Sequence, residues 1–240
     1  MRALVAQVRV ELALTLRRGE SVLLTLGIPV MLLVFFSVVD VLPTDTDDPI
    51  DFLAPGILAL AVMSTAMVSL GIATGFERQY GVLKRLGTTP LGRPRLLAAK
   101  TVAIVAIEAL QLAVLVPVAL ALGWDPGSDA AVAVAAIVLG TAAFAGLGLL
   151  MAGTLPGEVT LAAANGLYLA LLLLGGMIIP LGELPGALRA AARALPAAAL
   201  AEALHGTLGA AGDVPGRAWV VLALWAVAAP AAAAVTFRWE

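Results

Sequence analysis

The chain has no cysteine. Disulfides, thiolate metal sites and cysteine nucleophiles are therefore all excluded. Histidine occurs once, as His205, with Glu202 three residues before it; a lone imidazole without a further partner set is a poor metal or catalytic centre. The only lysines, Lys84 and Lys100, stand outside any GxxxxGK(S/T) phosphate loop, so nucleotide binding by that route is ruled out. No HExxH, paired-aspartate or Ser/His constellation falls within the apolar segments, which speaks against an intramembrane enzyme. Nor is there an inverted repeat or a pair of broken helices near a midplane, a common build for an ion-driven carrier. Charge is scarce as well, at 12% of residues, about half the share of an average soluble protein. Aromatic residues make up only 5%.

What fills the chain instead is apolar sequence, 62% of it, dominated by Ala, Gly and Leu. No globular core could hide so much, and several runs reach the ~20 residues a membrane helix needs. The fold class expected is all-α: a polytopic membrane protein with six transmembrane helices, at 22–42, 52–75, 96–122, 130–151, 159–179 and 218–235. Small residues suit close helix–helix packing, and Gly71-xxx-Gly75 is a motif of that kind. No small-x-small cleavage site follows the first run, so that run is expected to stay as the first span rather than leave with a signal peptide.

Between and before the spans lie the exceptions. Residues 1–20 place Leu4, Val5, Val8, Leu12 and Leu16 on one helical face, with Arg2, Arg9, Arg17 and Arg18 mostly off it. This is the pattern of an N-terminal amphipathic helix in the membrane interface, the alternative being a solvated basic tail. Asp40, Asp45, Asp47, Asp48 and Asp51 make an acidic loop without the glycine and terminal glutamate of an EF-hand, so no metal is expected there. Residues 181–213, broken by Pro185, Pro196 and several glycines, read as two short outer helices, interfacial or re-entrant.

Topology follows from where the cations fall. With the N-terminus in the cytoplasm, all but Arg189, Arg193 and Arg217 of the 14 Lys and Arg residues lie inside, as the positive-inside rule asks. Both termini are then cytoplasmic, and so is the loop at 76–95, the only long interior stretch rich in charge. In it, Pro90 is expected to end any helix continuing from the second span. Leu83 and Leu86 then form an apolar ridge beside Lys84 and Arg85, suited to docking in a groove on a soluble partner. Physics alone leaves a second possibility, a basic loop that merely fixes topology.

Among the polar residues within the spans, three stand out as candidates. Glu108, with Gln111 three residues later, is costly in lipid and a functional candidate by default. It would line a pathway, meet a cationic substrate or pair across a dimer, unless it reaches water or a neighbouring helix. Asn165 is a pathway candidate too, although interhelical hydrogen bonding is the preferred reading. A proton-coupled secondary transporter using Glu108 is the alternative function these residues leave open.

The order Glu77, Arg78, Gly81, Leu83, Leu86, Thr89, Pro90, Leu91 and Lys100 resembles the first cytoplasmic loop of ABC-2 type transporter permeases. This is the family of drug, polysaccharide and lipo-oligosaccharide exporters. The resemblance extends to the amphipathic start, the six spans and the paired short helices between spans five and six, and so covers essentially the whole chain. It implies a non-enzymatic membrane subunit of an exporter, in a bacterial plasma membrane, for a hydrophobic or amphipathic drug, lipid or glycan. ATP and Mg would be bound by a separate ATPase chain, with no cofactor here. The loop, including Lys84 and Arg85, would be the coupling helix that docks on that ATPase. A second permease copy, identical or not, would complete the pathway, and no nucleic acid is involved.

Overall fold

The computed structural model describes residues 2–17, 19–39, 49–87, 93–127, 129–209 and 213–238, and among them there are helices and no strands. α1 (Arg2–Arg17) precedes α2 (Gly19–Val38). α3 (Pro49–Met63) passes through a π-helical segment, Ser64–Ser69, into α4 (Leu70–Gln79), so that the second apolar run is one rod ending in a charged tip. After it come the short α5 (Val82–Gly87), α6 (Arg93–Ala121), α7 (Ala130–Thr154) and α8 (Gly157–Leu174). A single 3-10 turn (Leu181–Glu183), α9 (Gly186–Ala192), α10 (Pro196–Leu208) and α11 (Gly216–Thr236) complete the order. Five of these are long and apolar enough to cross a membrane: the rod Pro49–Gln79, Ala98–Ala121 within α6, and α7, α8 and α11. Within α2, the apolar stretch Thr25–Val38 is shorter. The chain is a multi-pass membrane protein.

Between apolar helices in lipid there is little hydrophobic drive, so contact area and close approach decide the packing. The rod is the centre. From Leu53 to Met63 every residue is buried, against α2, α6, α7 and α10. Glycines let α7 come in close. A methyl group on Gly148 would sit 2.6 Å from the Met67 carbonyl oxygen, and one on Gly71 would sit 3.1 Å from that of Gly148. On its other side, a methyl on Gly146 would collide with the backbone of Pro230 in α11. Of the Gly71-xxx-Gly75 pair, Gly71 thus meets α7, while Gly75 meets Thr160 of α8. Helix-interior prolines at 29, 55, 117 and 230 are accommodated in these bundles.

Several boundaries differ from those the sequence suggests. The rod does not run on to Pro90. It stops at Gln79, because Gly81 takes a left-handed φ of 68° that a helix cannot continue through. The fifth apolar run reaches Ile179, yet α8 ends at Leu174, where Gly175 and the left-handed Gly176 (φ 69°) turn the chain. Met177 is then buried, its carbonyl oxygen on Gly56 of α3. α10 is part of the core rather than a surface helix: Leu200 and Leu204 lie in the same cluster as Leu53 and Phe144. Asp40, Asp45, Asp47 and Asp48 of the acidic loop fall outside the described residues, as do Thr89, Pro90 and Leu91.

α1, α5 and the C-terminal residues 237 and 238 lie at one end of the bundle. Glu11 of α1 reaches Lys100, Leu83 of α5 packs with Phe237, and the Arg238 amide donates to the Gly153 carbonyl at 3.0 Å. α10 and the start of α3 occupy the opposite end.

Candidate functional site

At the α5 end, the rod's charged tip is wired to the elements around it. Glu77 Oε2 lies 2.6 Å from Lys100 Nζ, and Glu11 of α1 lies 3.2 Å from the same nitrogen. The lysine side chain is 2% exposed, so its charge is held by these two carboxylates rather than by water. Arg78 turns the other way. Its guanidinium donates to the carbonyl oxygens of Gly153, at 2.7 Å, and Leu155, at the break between α7 and α8. Adjacent residues of one helix therefore bind different neighbours: Glu77 holds α6 and, through Lys100, α1, while Arg78 holds the end of α7 and the break before α8.

α5 hangs from this tip by the Tyr80–Gly81 turn. The Arg85 amide donates to the Gly81 carbonyl, and the short helix is seated by Leu83, fully buried against Leu96 with Leu86 and Phe237 alongside. This corrects the expectation of an outward apolar ridge on Leu83 and Leu86. An i, i+3 pair marks a face but not what covers it, and here the cover is the chain's own α6. What α5 exposes is Val82, Lys84 and Arg85, with Tyr80 just before them.

Deeper in the bundle, the polar residues of α6 are buried and bonded. Glu108 Oε2 accepts from the Thr141 hydroxyl of α7 at 2.7 Å, while its other oxygen has no hydrogen-bond partner in the described structure. Gln111 accepts from the Thr65 hydroxyl at 2.8 Å and donates to the Thr25 carbonyl at 2.9 Å. Gln111 thus ties α2 and α6 to the π-helical segment, a kind of irregularity found often at functional sites. Asn165 is separate from this group. It is exposed on α8 and donates to Leu161 of its own helix at 2.9 Å, with no interhelical bond among the described residues. Glu11, Gly153, Thr65 and Thr141 complete these sites and carried no mark in the sequence; only contacts between distant segments reveal them.

A family model described as ABC-2 type transporter matches residues 2–208, nearly the whole of this arrangement from α1 to the end of α10. The chain belongs to the ABC-2 type transporter family. No curated protein matches it. As an ABC-2 chain it is the membrane permease component of an ABC transporter, and the family implies an ABC ATPase as its partner. Among the described residues no group of His, Cys, Asp and Glu could hold a metal ion.

Proposed function

We propose that this ABC-2 chain is the translocating subunit of an exporter, driven by a separate ATPase chain that binds ATP and Mg and docks on α5. Both termini and α5 face the cytoplasm in this reading, in a bacterial plasma membrane. The cargo is hydrophobic or amphipathic, of the drug, lipid or glycan class, and a second permease copy completes the pathway. The observation that carries it is the wiring of the rod's tip. A force on α5 reaches α4 through the Gly81 turn, α6 through Leu83 and Leu96, α1 through Lys100, and the α7–α8 break through Arg78. One small docking helix can in that way tilt most of the bundle.

The contact surface is assigned to Tyr80, Val82, Lys84 and Arg85, with Leu83 and Leu86 as the internal seat. Thr89, Pro90 and Leu91 belong to the same segment. Glu77 and Arg78 act as transmitters behind it rather than as contacts. Glu108 and Gln111, buried between helices, and Asn165, on the outer face of α8, are the proposed pathway residues, which would come to line a route once the helices part and a second copy covers α8. The test is charge reversal at the docking face. Lys84→Glu with Arg85→Glu, co-purified with the ATPase, is expected to weaken assembly by at least about tenfold, ~1.4 kcal/mol. Unchanged assembly and unchanged permease-dependent ATP turnover would refute the docking face.

A further inference from the structure

His205 is the only histidine in the chain, and it takes no part in the α5 end or the pathway residues. It sits near the end of α10, at the end of the bundle opposite α5, and its ring lies flat on Phe52 of α3, centroids 4.4 Å apart and planes 20° apart. Its Nδ1 is 2.7 Å from the Ala201 carbonyl oxygen, and its Nε2 is 2.9 Å from the Phe52 carbonyl oxygen. Both partners only accept. A neutral imidazole has one N–H and can satisfy one of them, and its bare nitrogen then points a lone pair at the other oxygen. The imidazolium donates to both. The geometry therefore fits two N–H donors, whereas removal from water favours the neutral ring. Desolvation is the larger influence and holds the pKa below the ordinary histidine value, against the upward pull of the two carbonyls.

Among the described residues the surrounding charges are few. α3 contributes Asp51, whose carboxylate accepts the Asp125 amide at 3.4 Å, and Asp129 precedes α7, which has no charged residue of its own. On α10 itself, Glu202 is held by Arg217, at 2.8 and 2.7 Å, and by Arg193, at 3.9 Å. α11 carries no other charge, the Asp213 backbone lies against Gly206, and α8 offers only Glu158 and Tyr168. No basic residue among these is free of a carboxylate or carbonyl partner, so nothing cationic is set to stand in for the missing proton. The proton itself is the natural ligand of this site.

We propose that His205 is a proton-operated latch between α10 and the start of α3. Neutral, the ring donates either to Ala201 of its own helix or across to Phe52 of α3, and its bare nitrogen faces the other oxygen. Protonated, it bonds both and pins α10 to the outer end of the rod, the same rod whose far tip carries α5. Acidification on the face opposite α5 thus stiffens that end of the bundle. The latch is a property of the permease chain alone and does not depend on an ATPase.

The experiment uses the single histidine. The full chain, purified through a tag without histidine and placed in lipid nanodiscs, is labelled with 15N-histidine and followed by NMR from pH 8 to pH 4. The expected result is a bare ring nitrogen at high pH that becomes a second hydrogen-bonded N–H in one step below the ordinary histidine range of about 6.5. Over the same step, exchange of amides in residues 50–56 and 203–208 should slow at least about tenfold after correction for intrinsic rates. His205→Gln, which keeps a donor and an acceptor but does not titrate, should abolish that change while leaving the fold intact. A ring that titrates as a free imidazole in fast exchange with water would overturn the proposal. So would amide protection that stays flat through the step, or that changes equally in His205→Gln.

Discussion

The two ends of the bundle are fastened by different physics. At the α5 end a lysine with almost no exposed surface lies between two carboxylates, and an arginine caps the carbonyls at a helix break. At the opposite end the charged contacts are half in water: Arg217 and Glu202 pair on the surface, with side chains 38% and 17% exposed, and the deeper joint is the stack of Phe52 and His205. Buried charge is unforgiving of change, since removing one partner strands the other. Exposed pairs are worth little. The α5 end is therefore built to move as one piece, and the far end is built from joints that can be remade.

Substitutions at the two ends should separate this contrast cleanly. Lys100→Met should be the most damaging, costing about 3–5 kcal/mol, because Glu77 and Glu11 lose their shared cation. Loss of monodisperse protein on size exclusion, or a large fall in apparent melting temperature in detergent, would register it. Adding Glu77→Gln and Glu11→Gln should recover most of that loss; no recovery would mean that the cluster is not an isolated charge balance. Arg78→Ala should come next, about 1.5–3 kcal/mol for charged hydrogen bonds to Gly153 and Leu155, read from the same melting curves. Arg217→Ala at the far end should cost only about 0.2–1 kcal/mol and shrink further in high salt. If Arg217→Ala proved as harmful as Lys100→Met, the contrast between the ends would be lost.

The apolar runs were plain in the sequence because a span must satisfy its backbone internally, and helix length and composition follow from that alone. The short helices around Pro185 and Pro196 were equally plain. Less so were the stops. The sequence drew attention to Pro90, but Gly81 ends the rod first, and a single glycine in a polar stretch has no visible obligation to adopt a positive φ. In the fifth run the Gly175–Gly176 pair was the available signal that α8 would stop before Ile179. Partners were the least legible. Glu11, Glu77 and Lys100 come from three elements, and nothing in their local sequence says that one cation serves both acids. Leu83 shows the same limit from the apolar side: its periodicity defined a face correctly and left open which neighbour would cover it.

The π-helical segment Ser64–Ser69 sets the clocking of everything beyond it. It amounts to one extra residue in the winding of the rod, and each residue turns an α-helix by about 100°. Rewinding that segment as plain α-helix, with no residue removed, would rotate the tip by roughly that angle. Gly71 and Gly75 would swing away from α7 and α8, and Glu77 would swing off Lys100, with every side chain still present. The bearing of the tip is thus stored in a miscount of one residue at the middle of the rod.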